Sequence, residues 1–253
     1  MTWWLSQLSA GEIVRKIRTR IIPNLRHLPR SRIRACRACA QNSLILAYGR
    51  AEEFQVCIRC RANLRYELLA MYLRRNYQDL STVDVLELDP ASPLRPLLAG
   101  ARNYMRSFYR EAIEPGVVRP DGAVCQDIMN LKLPSESLDL IVSSDVLEHV
   151  PDPAAAFRES VRVLRPGGAH IFTVPPRQRT LQRARLDNGE IQHLVQPPEY
   201  HFDPLDPRGV LAFWDFGSDL PVRFGNENLR FSVVAGPEGV SGSFVWEARK
   251  QSA

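Results

Sequence analysis

The sequence predicts an α/β fold built on a mostly parallel sheet, with a small four-cysteine unit ahead of it. Three observations carry that expectation. Strand-like apolar runs alternate with helical patterns from Val83 to Val174. One of those runs, Leu138 to Ser143, has the apolar character of a strand buried on both faces. Ahead of them, Cys36-x-x-Cys39 and Cys57-x-x-Cys60 lie close together in the chain. A length of 253 residues suits one such domain with an appendage.

Composition agrees: 45% of residues are hydrophobic, ordinary for a chain with a sizeable core. No apolar run approaches the ~20 residues that cross a bilayer. The opening Met-Thr-Trp-Trp-Leu has neither a basic leader nor a long apolar stretch, so the expected location is the cytoplasm. The formal net charge is +5, and the excess is concentrated. Arg15, Lys16, Arg18, Arg20, Arg26, His27, Arg30, Arg32, Arg34 and Arg37 form a block without an acidic residue. Such a block meets phosphates of RNA or of anionic lipid, or else is a solvated arm. Trp3, Trp4 and Leu5 ahead of it favour an anchor at a membrane surface, so a peripheral membrane contact joins the expected partners.

In order along the chain, residues 1–35 read as a basic arm, 36–63 as the cysteine unit and 64–253 as the α/β domain. Residues 61–77 form an amphipathic helix, with Leu64, Leu68, Met71 and Tyr72 as its core-facing stripe. Val83 to Leu88 is the first strand, and Ser92-Pro93 opens a helix. Asn103 to Tyr109 and Ala123 to Ile128 are the next strands, followed by Leu138 to Ser143. Asp152-Pro153 opens a helix that runs to about Leu164. Arg165-Pro166-Gly167-Gly168 ends it, the glycines allowing a tight turn, and Ala169 to Val174 is a further strand. Residues 177–228 are rich in Pro, Asp and Gly with poor periodicity, and a connection of that length is functional or disordered. It is a candidate lid. Leu229 to Ala235 and Ser243 to Ala248 form a closing antiparallel pair.

Two Cys-x-x-Cys knuckles a short distance apart point to a structural zinc ribbon, four thiolates closing a tetrahedral shell. A disulfide framework or unrelated thiols are the alternatives, and nothing indicates the export that disulfides accompany. Cys125 stands apart, inside an expected strand, as a small core residue.

The stretch Asp127 to Pro176 resembles the later half of class I S-adenosylmethionine-dependent methyltransferases. The residues that carry the likeness are Asp127-Ile128, Ser143-Ser144-Asp145-Val146-Leu147-Glu148-His149-Val150-Pro151-Asp152-Pro153, and Arg162-Val163-Leu164-Arg165-Pro166-Gly167-Gly168. The resemblance implies a doubly wound, mostly parallel seven-stranded sheet of Rossmann-like methyltransferase type. It implies S-adenosyl-L-methionine as cofactor, with Asp127 and Ile128 bordering adenine and Ser143, Ser144 and Asp145 where cofactor and substrate meet. Glu87 matches the acidic position ending the first strand, followed by Leu88 and Asp89. The usual glycine-rich loop is replaced here by Leu88-Asp89-Pro90-Ala91-Ser92-Pro93. Ser107 lies where the family places a ribose-binding acid, with Glu111 a weak substitute. The chain is similar, over residues 36–250, to a bacterial group with a four-cysteine ribbon, a proline-containing first loop and a His- and Pro-rich insertion. That likeness implies small-molecule, sugar or glycan acceptors.

Methyl transfer from a sulfonium is an in-line displacement that depends on positioning, and an oxygen acceptor also needs a base. His149 is the first candidate base, then His201 and His193 from the insertion. Two other functions compete. One is an RNA methyltransferase gripping nucleic acid with ribbon and arm, against which no interleaved aromatic and basic strand surface is visible. The other is a binding protein that keeps the fold without transfer.

Overall fold

A computed structural model describes residues 22–201, 209–236 and 244–252. The N-terminal aromatics and the first four residues of the basic block, Arg15, Lys16, Arg18 and Arg20, lie outside the described residues, as do 202–208 and 237–243.

The cysteine unit is a three-stranded antiparallel sheet of β1 (Arg32–Ala35), β2 (Asn42–Ala47) and β3 (Gln55–Cys57). Each knuckle ends in a residue with left-handed backbone, Ala40 after Cys39 (φ 57°) and Arg61 after Cys60 (φ 69°). The two turns close alike: Ala40 N–H donates to the Cys36 carbonyl (2.8 Å) and Arg61 N–H to the Cys57 carbonyl (2.8 Å).

Helix α1 (Leu64–Asn76) follows at once. Its buried face is Leu64, Glu67, Leu68, Leu69, Ala70, Tyr72 and Leu73. Met71 is 43% exposed and so leaves the expected stripe. The docking angle centres the buried face on Leu69 and Leu73, which turns Met71 outward. The buried Glu67 carboxylate takes a two-pronged hydrogen bond from Arg34 of β1 (2.8 and 2.9 Å), so the basic block is partly structural. Arg74 donates to the carbonyls of Arg37 and Ala38, tying the first knuckle to the same helix.

The main sheet contains β4 (Asp84–Glu87), β5 (Asn103–Phe108), β6 (Val124–Cys125), β7 (Leu138–Ser144), β8 (Leu164–Thr173), β15 (Leu229–Ala235) and β16 (Val245–Lys250). Their order is β15-β16-β8-β7-β4-β5-β6. Strands β6, β5, β4, β7 and β8 are mutually parallel, and β16 runs antiparallel to both β8 and β15. The expected mostly parallel seven-stranded sheet is therefore present, closed by an antiparallel pair. Its helices are α2 (Arg95–Leu98) after β4 and α3 (Pro153–Val163) after β7. Helix α3 opens as the sequence suggests, with Asp152 accepting from Ala155 N–H (3.0 Å). Helix α2 starts later than Ser92-Pro93, because the Ser92 hydroxyl caps Leu94 N–H (2.9 Å) in a turn before the helix.

The strand after α3 also begins early. Leu164 pairs with Leu138, and pairing resumes at Ala169 with Leu140, so Arg165 to Gly168 bulge from the edge of the ladder instead of ending the helix in a separate turn. Gly167 takes φ 78°, a conformation that favours glycine.

The described residues of 177–228, which are 177–201 and 209–228, are more ordered than their composition suggests. They form β9 (Leu181–Gln182), β10 (Ala184–Asp187), β11 (Glu190–His193), β12 (Tyr200–His201), β13 (Val210–Leu211), β14 (Trp214–Asp215) and α4 (Leu220–Phe224). The strands pair as β10-β11, β12-β13 and β9-β14, each too short to show a periodic pattern in sequence.

Each face of the sheet has its own core. On one, Phe157 of α3 packs against the rings of Phe172 and Phe231, and Trp214, Phe216 and Leu220 of the insertion join them. On the other, Leu69 and Leu73 of α1 pack in one cluster with Val85, Leu140, Ile171 and the ribbon's Cys36, Ile45 and Cys57. Cys125 is fully buried beside Phe108, a core residue as expected. Among the described residues, no helix is long and apolar enough to cross a membrane.

Candidate active site

Chain order runs outward from β4 in both directions, to β5 and β6 on one side and to β7 and β8 on the other. Ligands of open parallel sheets sit beyond the strand ends at such a switch point. At the end of β4, Glu87 is buried and accepts from the Tyr104 hydroxyl, and burial pushes its carboxyl up to about 7. Leu88 N–H donates to the Val142 carbonyl (2.9 Å), continuing the ladder into the loop. The Asp89 carboxylate accepts from the Tyr66 hydroxyl (2.6 Å) and from Ala91 N–H (2.8 Å), so the glycine-free loop is shaped by a side-chain cap.

At the end of β7, Asp145 has φ 51°, unusual for a residue with a side chain. One of its oxygens accepts from the Thr173 hydroxyl (3.0 Å), and the other pairs with Arg65 of α1. Ser144 also bonds to Thr173 (3.0 Å). Ser143 departs from expectation: its hydroxyl meets His170 Nε2 inside the protein (2.9 Å), because strand alternation turns it away from its neighbour's face. Only its backbone borders the crevice. His170 is fully buried, also meets Ser160 (3.3 Å at Nδ1), and is lowered to about 3 by burial.

Past β6, Asp127 closes a tight turn, its side chain accepting from Met129 N–H (2.8 Å), while Ile128 joins the core with Leu86 and Leu147. Ser107 is unavailable to a ribose, since its buried hydroxyl donates to the Glu87 carbonyl (3.2 Å). Glu111 is exposed past the end of β5, beside exposed Tyr109.

The insertion brings the two leading histidines together. His149 and His201 stack edge to face, ring centroids 4.8 Å apart. His149 Nδ1 bonds the Leu211 carbonyl of β13 (2.9 Å), and β13 pairs with β12, which carries His201. Glu148 lies between them and is 1% exposed. Its Oε1 is 3.8 Å from His149 Nε2 and 3.6 Å from His201 Nδ1. Glu199 accepts at His201 Nε2 (3.2 Å) and is itself paired with Arg177 and Arg183. His193 is outside this group, on β11.

The cysteines also converge. The Sγ atoms of Cys36, Cys39, Cys57 and Cys60 lie within 4.8 Å of one another, and none is in a disulfide. Burial raises the Cys36 and Cys60 thiols, whereas Cys57, also buried, is brought below its ordinary value by hydrogen bonds from Ser43 and from backbone N–H groups. Four sulfurs this close, none of them in a disulfide, fit one thiophilic dication.

The sheet order, with carboxylates at the ends of β4 and β7, is that of a doubly wound, Rossmann-like α/β domain. Residues 101–172, from β5 to β8, match the family model described as Methyltransferase domain. A curated relative from Mycolicibacterium smegmatis, named "Probable S-adenosylmethionine-dependent methyltransferase", is 41% identical over 51 residues, 20% of this chain and 20% of that protein. Among solved structures, an S-adenosylmethionine-dependent methyltransferase from Mesorhizobium loti is 17% identical, with a TM-score of 0.42 over 72% of this chain and 97% of the other. The YcgJ protein from Bacillus subtilis is 12% identical, with a TM-score of 0.46 over 74% of this chain and 98% of the other.

Two site residues escape a reading of the sequence. Arg65 and Tyr66 are neighbours on α1, and they reach the carboxylates of Asp145 and Asp89 on two separate loops. The only sequence signal is a polar pair at the start of an amphipathic helix.

Proposed function

We propose that this chain transfers a methyl group from S-adenosyl-L-methionine to a small-molecule, sugar or glycan acceptor. The observation that carries the reading is the charge pattern at the crevice, where Arg65 faces Asp145 and Tyr66 faces Asp89. An amino-acid zwitterion has the complementary pattern. Arg65 would take its carboxylate, and Asp145 and Asp89 its ammonium. The fit is supported by Arg65 Nε, which is buried without a hydrogen-bond partner among the described residues. Glu87, Leu88, Asp127, Ile128, Ser144 and the backbone of Ser143 would border the rest of the cofactor. When bound, that group supplies an electrophilic methyl on sulfur.

His149 and His201 are the groups offered to an acceptor, held by Leu211 and Glu199 under the insertion. The four cysteines would hold a structural zinc that keeps the ribbon, and so α1, in place. An RNA acceptor is the second reading. The observation in its favour is a groove beside α1 lined by Arg32, Arg34 and Arg37, although Arg34 is already paired with Glu67.

The test is calorimetric titration of the zinc-loaded chain with S-adenosylmethionine, beside Asp127→Ala and Asp145→Asn. Micromolar binding that weakens in the variants is expected. No binding to folded protein would leave a methyltransferase fold used as a binding scaffold. Salt-sensitive retention of RNA would move the acceptor to nucleic acid.

A further inference from the structure

We propose that Glu148, His149 and His201 form a second metal site, separate from the ribbon, for a divalent transition ion with zinc as its first choice. Three observations converge on it. The first is proximity: one ligand atom from each residue lies within 4.8 Å of the others. Two of the separations, 3.6 and 3.8 Å, are close to the ~3.4 Å between ligands of a tetrahedral ion with bonds of about 2.0–2.1 Å. Movements of a few tenths of an ångström on those edges would complete them.

The second is the direction of the ring nitrogens. His149 Nδ1 is 2.9 Å from the Leu211 carbonyl, which can only accept, so that nitrogen carries the proton. Its Nε2 is then a lone pair. His201 Nε2 meets the Glu199 carboxylate at 3.2 Å, so that nitrogen is the donor and a neutral ring leaves its Nδ1 as a lone pair. Both lone pairs face the same oxygen, Glu148 Oε1. Metal-binding histidines have this arrangement: the far ring nitrogen donates to a backbone carbonyl or a carboxylate, which fixes tautomer and orientation. Glu199 is held by Arg177 and Arg183, so the outer partners are themselves anchored.

The third is the unmet need of Glu148. Its side chain is 2% exposed, and among the described residues both buried carboxylate oxygens have no hydrogen-bond partner. A buried carboxylate without partners is costly unless a cation or proton answers it. A dication bound to Oε1 and the two ring nitrogens meets that need.

Two imidazoles and one carboxylate are the ligand set of a catalytic zinc site with an open fourth position, and nitrogen ligands favour zinc, cobalt or nickel over magnesium or calcium. The site sits three residues after Asp145, at the end of β7. If the methyl-transfer reading holds, the fourth position suits an acceptor oxygen, whose proton a dication makes easier to lose. Metal binding itself does not depend on that reading.

The experiment uses the full chain, stripped of metal, refilled with cobalt(II) and followed by absorption and by elemental analysis. Two equivalents are expected: one with the sulfur-to-metal charge-transfer bands of a thiolate site, one with ligand-field bands alone. His201→Ala and Glu148→Gln should each lose the second equivalent and keep the first. Glu199→Gln, outside the ligand set, should weaken the second about 10–100-fold without abolishing it. A single equivalent in the unaltered chain, with thiolate bands only, overturns the proposal and leaves His201 as an imidazolium paired with Glu148. Because no cofactor is added, this result is independent of S-adenosylmethionine binding. Because the unaltered chain decides, a variant that fails to fold leaves the test intact.

Discussion

Arg65, at the start of α1, reaches across 80 positions of sequence to pair with Asp145 beyond β7. The pair spans the crevice from outside the sheet, so the helix that carries the ribbon also lines the proposed cofactor site. Removing either partner leaves the other charge partly buried, at the site where the proposed zwitterion would need both.

For that reason Arg65→Met is expected to weaken S-adenosylmethionine binding by roughly tenfold, about 1.4 kcal/mol. Calorimetry on the variant and the unaltered chain reads this directly. Equal affinities would show that Arg65 only latches α1 to the sheet.

If the four cysteines hold the proposed zinc, its removal should destabilise the whole chain and not only the ribbon. Cys36 and Cys57 share one core with Leu69, Val85 and Leu140. Cys57→Ser, or a strong chelator, is expected to cost about 3 kcal/mol or more, roughly 6–12 °C in melting temperature. A thermal scan that loses only a small early transition, with the main one unmoved, would contradict the shared core.

The pH dependence of stability should contain two opposing parts. His170 is held near 3 in the fold against 6.5 when free, so between those values the unfolded chain binds the extra proton and stability rises with pH. Glu87 is held near 7 against 4.5, so there the folded chain binds the extra proton and stability falls with pH. Between pH 4.5 and 6.5 the slopes oppose, each up to about 1.4 kcal/mol per pH unit. Urea unfolding of Glu87→Gln should therefore gain stability with rising pH relative to the unaltered chain, and His170→Gln should lose it. Three parallel curves would refute both assignments.

Phe157 is the centre of the aromatic core under α3, touching the rings of Phe172, Phe224 and Phe231. Phe157→Ala is expected to cost about 3–5 kcal/mol, measured by urea unfolding. A cost below 1 kcal/mol would mean that the insertion's aromatics collapse into the space.

The sheet is legible in the sequence where burial on both faces leaves no choice of residue. Leu138 to Ser143 and Ala169 to Val174 read as strands because both of their faces are covered. The four cysteines read as one site because their spacing is local. Met71 falls outside the buried face because that face depends on how the helix docks, which periodicity alone does not fix. The insertion's strands are two to four residues long, too short for any alternation to register. His149 and His201 could each be singled out, but nothing along the chain shows that Glu148 lies between them. Their meeting depends on Leu211 of β13 docking against the turn that holds His149. Ser143 reads as a site residue because it ends β7 beside Ser144 and Asp145, while its side chain points to the other face.

The arginine fork from β1 to Glu67 has a practical side for anyone who would dissect this chain. A fragment that starts at α1 would carry a carboxylate built to be answered by Arg34 and an apolar helix face with its cover removed. Such a fragment is a poor candidate for soluble expression, whatever chemistry its crevice performs. Conversely, an isolated ribbon would lack the helix against which its knuckles are packed. The seam visible in the composition is not a place where the molecule comes apart.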